Sequence, residues 1–312
     1  VLCHLEGKGP RVLLEAHMDE VGFRVQSILP DGMLRLVPVG GWWAHVLLAQ
    51  QLTVKTAQGR KIHGVVGSKP PHFLPEAERA RVMALEDLFV DVGACSREEV
   101  EGLGIRRGDP VAPRTQFEHL ACGRRFVAKA FDNRVGMAGV IEAGKRLAKR
   151  KRVNHPILAG AVQEEVGLRG AQTLATLARP DVAIVLEGTP ADDTPGFDRK
   201  GSQGALGEGV QIRLHDPSAI MHPGLAALAI EVATEKSIPH QVAVRQSGGT
   251  DAGRIHLSGE GVPCVVLGVP ARYIHSHNSV IDLADYEAMV ELSMALLSRL
   301  DAREVAKLVQ YV

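Results

Sequence analysis

A chain of 312 residues exceeds the usual single domain, and 45% hydrophobic residues with a mean hydropathy of +0.02 suffice for a large buried core. Lysine plus arginine and aspartate plus glutamate are equal at 36 each, which argues against nucleic acid as a general partner. No apolar run approaches a bilayer span, so no membrane partner is expected.

The opening Val1-Leu2-Cys3-His4-Leu5-Glu6 has neither a basic region nor an apolar one, so no secretory signal is expected, and it carries no initiator methionine. Arg11–Ala16 reads as a buried strand. Between about residues 22 and 115 the texture changes to short β-rich runs broken by Gly and Pro: Phe23–Ile28, Met33–Val37, Leu52–Thr56 and Val111–Pro113. That pattern suggests a small β-barrel or sandwich inserted into something larger. From about residue 125 apolar strands alternate with helical stretches. The strands are Ile157–Gln163, Val182–Glu187, Gln241–Gln246 and Val262–Val269. The helices are Asn133–Lys149, Ala171–Ala178, Leu225–Lys236 and Asp285–Leu300. Such alternation implies an α/β domain whose mixed sheet is largely parallel and flanked by helices. Residues 1–21 and 116–312 would form this domain, and 22–115 the β-rich insert.

The basic cluster Lys145–Arg152 falls at a helix end, where cations complement the helix dipole. Cys3, Cys95, Cys122 and Cys264 are too dispersed for a zinc knuckle or a disulfide framework. A reducing cytoplasm fits them, and Cys264, inside an apolar run, reads as a core residue.

The chemistry concentrates at strand ends. Glu164 and Glu165 follow the apolar run Ile157–Val162, and neighbouring side chains of an extended chain point to opposite sides. One carboxylate could bind a metal while the other takes a proton from that metal's water. His17 and Asp19 follow the first strand with a spacing of two. A carboxylate so close can accept from the second nitrogen of a ligating imidazole. Asp132 sits at a helix start, where an N-cap is the ordinary role. Glu187 follows five apolar residues, and burying it unpaired would cost several kcal/mol. His275 comes just after the last strand. Taken singly, each has an ordinary structural explanation. Together His17, Asp132, Glu165, Glu187 and His275 fall at the ligand-binding edge of one α/β sheet. Two imidazoles and three carboxylates suffice for two metals if one carboxylate bridges, and such donors without thiolate suit Zn²⁺, Co²⁺ or Mn²⁺. A bridged pair would lie about 3.5–4 Å apart.

Six segments then carry a resemblance, in order along nearly the whole chain. They are Ala16-His17-Met18-Asp19-Glu20-Val21-Gly22-Phe23, Gly64–His72 (GVVGSKPPH), Ala130-Phe131-Asp132-Asn133-Arg134, Gln163–Gly170 (QEEVGLRG), Gly248-Gly249-Thr250-Asp251-Ala252 and Arg272-Tyr273-Ile274-His275-Ser276. The sequence resembles the M42 metallo-aminopeptidases, some of which carry an endoglucanase label that these residues do not support. The resemblance implies a dizinc exopeptidase-like fold and removal of N-terminal residues from short peptides. It also implies that His17 and Glu187 complete one metal site, Glu165 and His275 the other, and Asp132 bridges them. Glu164 would be the general base and Asp19 would orient His17. It further implies a cis Asp132–Asn133 peptide, and an inserted β domain that makes dimer contacts, the dimers assembling into tetrahedral dodecamers. Two departures stand out. The family usually has Asp where Glu187 stands, and it carries a helix and a strand before the first motif, whereas only 16 residues precede His17 here.

Three competing functions share parts of this pattern. A deacylase or carboxypeptidase-like dimetal enzyme differs in what flanks the scissile bond. A metal-independent glycosidase could use paired carboxylates but leaves both histidines without a task. A non-catalytic protein could keep the fold alone. His277 could replace His275 in a shifted register, and otherwise reads as a rim residue. His72 reads as structural.

Overall fold

The computed structural model describes residues 1–310, so the last two residues of the expected catalytic segment lie outside the description. After β1 (Leu2–His4) and β2 (Arg11–His17) come six strands: β3 (Gly22–Ile28), β4 (Leu34–Val39), β5 (Gln51–Lys55), β6 (Lys61–Gly67), β7 (Phe89–Asp91) and β8 (Pro110–Pro113). Two short helices, α1 (Glu76–Arg79) and α2 (Arg97–Gly102), lie among them. The six strands close into a barrel in the order β3-β4-β7-β6-β5-β8. Its interior follows from period-two alternation: Leu52 and Val54 of β5 and Val66 of β6 point inward, while Lys55, Lys61 and His63 point out.

The second half of the chain runs β9 (Glu118–His119), β10 (Arg125–Ala128), α3 (Phe131–Leu147), β11 (His155–Ala161), α4 (Arg169–Ala178), β12 (Val182–Pro190) and β13 (Val210–Asp216). It continues through β14 (Ala219–Ile220), α5 (Pro223–Glu235), β15 (His240–Val244), α6 (Ala252–Ile255), β16 (Cys264–Arg272), β17 (Ser279–Asp282), α7 (Leu283–Arg299) and α8 (Ala302–Leu308). These strands join β1 and β2 in one mixed sheet of order β1-β11-β2-β12-β16-β17-β10-β9, with β13 to β15 branching from β16. The four central strands β11, β2, β12 and β16 are mutually parallel. Helices α3, α5 and α7 cover one face, where Val135, Leu225 and Leu292 pack on Leu14, Ile184 and Leu267. Helices α4 and α6 cover the other, with Leu174 and Ile255 against Leu13 and Val185. Burial on both faces explains why β2, apart from Glu15, and β12 as far as Leu186 read as apolar runs.

The expected strands and helices of the second half are present with shifted ends. One shift matters for the site: β12 does not stop at Glu187 but continues through Gly188, Thr189 and Pro190, paired with β16 throughout. The expectation that Glu187 ends its strand is therefore corrected; the ladder with β16 satisfies the backbone beyond it. Strand β13 was not expected. Its alternate residues Gln211 and Arg213 are buried at 0% and 3% exposure, held by Thr189 and Asp216.

Candidate metal centre

The parallel register brings the carboxyl ends of the central strands level, with His17 of β2 opposite Ala161 of β11. From these ends, and from the start of α3, the five candidate ligands converge. Nε2 of His17 lies 3.0 Å from Oδ1 of Asp132 and 3.3 Å from Oε1 of Glu187. Nε2 of His275 lies 3.2 Å from Oδ2 of Asp132 and 3.3 Å from Oε2 of Glu165. Asp132 thus presents one carboxylate oxygen to each imidazole.

Local backbone geometry makes this possible. Asp132 and Asn133 are joined by a cis peptide and depart from helical angles at the head of α3. Asn133 is fully buried. Its amide donates to the Leu186 carbonyl at 2.8 Å, and its side-chain oxygen accepts from the Gly136 amide at 2.9 Å. Gly188 stands behind this turn, where a β-carbon would come within 2.9 Å of the Asp132 Cα. His275 and Gln163 adopt positive φ, 56° and 60°, which turn the loops after β16 and β11 toward the centre.

Glu164 belongs to neither of these two three-residue groups but stands close by, its Oε2 3.9 Å from Nε2 of His17. The Asp19 carboxylate lies 3.6 Å from Nδ1 of His17, which meets the Asp19 carbonyl oxygen at 3.2 Å. That carboxylate accepts hydrogen bonds from the backbone amides of Glu164 and Glu165, at 3.2 and 3.3 Å. Asp19 therefore ties the Glu164-Glu165 loop to the His17 loop.

The electrostatics are those of a crowded anionic site. Burial and the charge of Glu187 push the Glu164 carboxyl up to about 10. Burial raises Glu187 to about 7 against the pull of His17. For Asp132, burial is outweighed by hydrogen bonds from His17 and His275, which hold it down to about 2. Burial would lower His275, but Asp132 and Glu165 carry it up to about 10.

Whether these residues suit a metal is tested by their unmet atoms. Oε1 of Glu165 and Oε2 of Glu187 are buried without a hydrogen-bond partner, a costly state for carboxylates unless a cation meets them. Three ligand sets have atoms within 4.8 Å of one another: His17, Asp132 and Glu187; Asp132, Glu165 and His275; and His17, Glu164 and Glu165. Imidazole and carboxylate donors in overlapping sets fit borderline divalent ions.

A family model described as M42 glutamyl aminopeptidase matches residues 1–292. The chain belongs to that family. Among M42 relatives, the glutamyl aminopeptidase of Lactococcus lactis subsp. cremoris (strain MG1363) is 38% identical over 303 residues, covering 97% of this chain and 84% of the relative. The TET aminopeptidase from the marine sediment archaeon Thaumarchaeota archaeon SCGC AB-539-E09 superposes with a TM-score of 0.95 at 41% identity, over 99% of this chain and 87% of that one. The Pyrococcus horikoshii TET1 peptidase, which can assemble into a tetrahedron or a large octahedral shell, aligns at 32% identity and a TM-score of 0.85. That match covers 96% of this chain and 87% of that one.

His277 is not the rim residue that its position suggests. It is 2% exposed, edge-on to Trp42 with ring centroids 5.8 Å apart, and belongs to none of the three ligand sets. His72 lies exposed in a short 3-10 turn. Two residues near the centre were given no role by sequence reasoning, although Asp251 lies in one of the six segments that carry the resemblance. Glu15 and Asp251 are buried at 0% and 1% exposure, and burial and their mutual repulsion raise Glu15 well above the carboxylate range. A glutamate inside the apolar run Val12–Ala16 was the available signal. The barrel also touches the centre: at Gly41 a β-carbon would lie 3.4 Å from Nδ1 of His275, and at Gly40 3.3 Å from Cβ of Glu165.

Proposed function

We propose that this chain is a dinuclear metal-dependent aminopeptidase that removes N-terminal residues from short peptides. The observation that carries the reading is the posture of Asp132, one oxygen toward His17 and the other toward His275. In this proposal His17 and Glu187 hold one ion, Glu165 and His275 the other, and Asp132 is shared. When bound, the ions supply Lewis-acid polarisation of the scissile carbonyl and acidify water to near neutrality. Zn²⁺ suits these donors, as do Co²⁺ and Mn²⁺.

The protein's own groups divide the remaining work. Glu164, whose Oε2 stands 3.9 Å from Nε2 of His17 and whose carboxylate the charge of bound cations would keep ionised against its burial, takes the proton from the attacking water and returns it to the leaving nitrogen. Asp19 fixes the Glu164-Glu165 loop through two amide hydrogen bonds, so that base and ligand keep their spacing. The free amine of the substrate meets the carboxylate-rich centre, which favours a cation there. We assign dimer contacts to the barrel insert, residues 22–115, and assembly to a tetrahedral dodecamer. The compartment we propose is the cytoplasm; among the described residues no helix is long and apolar enough to cross a membrane.

The test is Glu164→Gln. Hydrolysis of aminoacyl-p-nitroanilides should fall by at least about 10²-fold while metal content stays near two per chain. Activity within tenfold of the parent would remove Glu164 from this role. The deacylase alternative would show instead as turnover of N-acetylated peptides in preference to free-amine ones.

A further inference from the structure

The barrel wall beside the metal centre is basic, and among the described residues no carboxylate pairs with four of its cations. A cleft of about 650 Å³ is lined by Asp19, Glu20 and Gln163, the last next to Glu164 in the chain, and by Arg24, Lys55, Lys61 and Arg114. Its size is that of a ligand site.

Strand register explains the wall. Lys55 of β5 pairs directly with Lys61 of β6, and Thr53 with His63. Thr53 also opposes Ala112 of β8, and Arg24 of β3 opposes Pro110. The intervening Leu52, Val54 and Val111 fill the barrel core, so the polar set shares the outer face. Two lysines directly opposite each other repel. The nearby carboxylates are engaged elsewhere: Glu20 holds Lys129 at 2.5 Å, and Asp19 accepts from the Glu164 and Glu165 amides. Arg24 and Arg114 donate only to neutral oxygens, the Gly108 carbonyl and the Gln51 side chain. Among the described residues no carboxylate lies within ion-pair distance of these four cations. The two carboxylates of the lining, Asp19 and Glu20, are thus already engaged, and the four remaining cations give the cleft a net positive charge that concentrates anions.

We propose that this cleft receives the part of the peptide downstream of the scissile bond and binds its carboxylates. The inference rests on the aminopeptidase reading and specifies its substrates: short peptides, whose terminal carboxylate comes within reach of the wall, and peptides acidic after the first residue. An extended chain advances about 3.3–3.6 Å per residue, so a leaving segment of a few residues spans such a cleft.

Three peptides with a constant first residue test it: Leu-Gly-Gly-Gly, its C-terminal amide, and Leu-Gly-Gly-Glu amide. At low salt the free acid should exceed its amide in kcat/KM by about fivefold, chiefly through KM, as two or more exposed ion pairs would give. The ratio should fall toward one in the K55Q/K61Q double variant and in 1 M salt, where screening acts within about 3 Å. Rescue by the glutamate amide assigns the cleft to any downstream carboxylate; its absence assigns the cleft to the terminal one. Equal kcat/KM for acid and amide, or discrimination that survives in K55Q/K61Q, overturns the inference. So does a change in molar mass by light scattering with the ratio intact, because the wall then packs against another copy. An enzyme that turns over aminoacyl-p-nitroanilides without charge discrimination defeats the cleft alone. Inertness toward all of these substrates defeats the aminopeptidase reading, and the inference falls with it.

Discussion

Asp132, half-buried, and Asp193, buried, show how differently carboxylates serve this molecule. Asp132 faces two imidazoles, so Asp132→Ala should take both ions from the centre, and metal analysis should give well under one per chain. Retention of two would remove Asp132 from the bridging role proposed above. Asp193 instead holds Arg272 through two hydrogen bonds, 2.7 and 2.6 Å, and accepts the Leu206 amide at 3.0 Å. Although burial opposes ionisation, Arg272 keeps Asp193 below the usual carboxylate range. A depressed carboxylate adds stability above its unfolded pKa and loses it as pH falls through the folded one. Asp193→Asn should therefore cost about 1–3 kcal/mol at pH 7, and that difference should shrink below about pH 4. Denaturant titrations at both pH values check it; an equal deficit at each would deny the ion pair its part. At this scale the five proposed ligands stood out because each is a charged or imidazole side chain beside apolar neighbours, and the structure brings the five together. Glu15 and Asp251 did not, since their closeness arises from a contact between β2 and the loop before α6, far apart in sequence.

Elements whose burial is uniform announced themselves, and those stabilised by polar partners did not. β2, apart from Glu15, and β12 as far as Leu186 are apolar on both faces and were readable from composition alone. β13 alternates apolar residues with Gln211 and Arg213, whose burial depends on Thr189 and Asp216; no local pattern predicts that. The end of β12 was misjudged for a related reason, because Glu187 looked like a boundary while pairing with β16 carries the strand on. That extension places Gly188 against the α3 turn. Gly188→Ala would drive a methyl group to within 2.8 Å of the Phe131 carbonyl oxygen and 2.9 Å of the Asp132 Cα. Backbone cannot yield there as a flexible side chain would, so Asp132 must move. Metal content should drop and kcat/KM should fall by about 10²-fold, the penalty of an ångström-scale misplacement. Unchanged metal stoichiometry would mean that the turn has more freedom than its contacts suggest.

For the molecule as a whole, ions that bind only the folded chain add to its stability by mass action. Each site held at a hundred times its dissociation constant contributes about 2.7 kcal/mol. Chelation should therefore lower the melting temperature by several degrees, and restoring Zn²⁺, Co²⁺ or Mn²⁺ should recover it. An unshifted transition would argue that the centre is stable without cations. Division of the fold into a sheet and a barrel was visible as a change of texture near residue 22. The approach of the two was not, because no periodicity encodes which barrel loop meets which strand end. That meeting has a mechanical consequence. Gly40 and Gly41 belong to the loop that leaves β4, and they rest on Glu165 and His275, so the barrel is a lever whose tip lies on the catalytic apparatus. If copies associate through their barrels, as proposed above, any tilt imposed on the lever is delivered to that tip, and specific activity should vary with protein concentration across the association range.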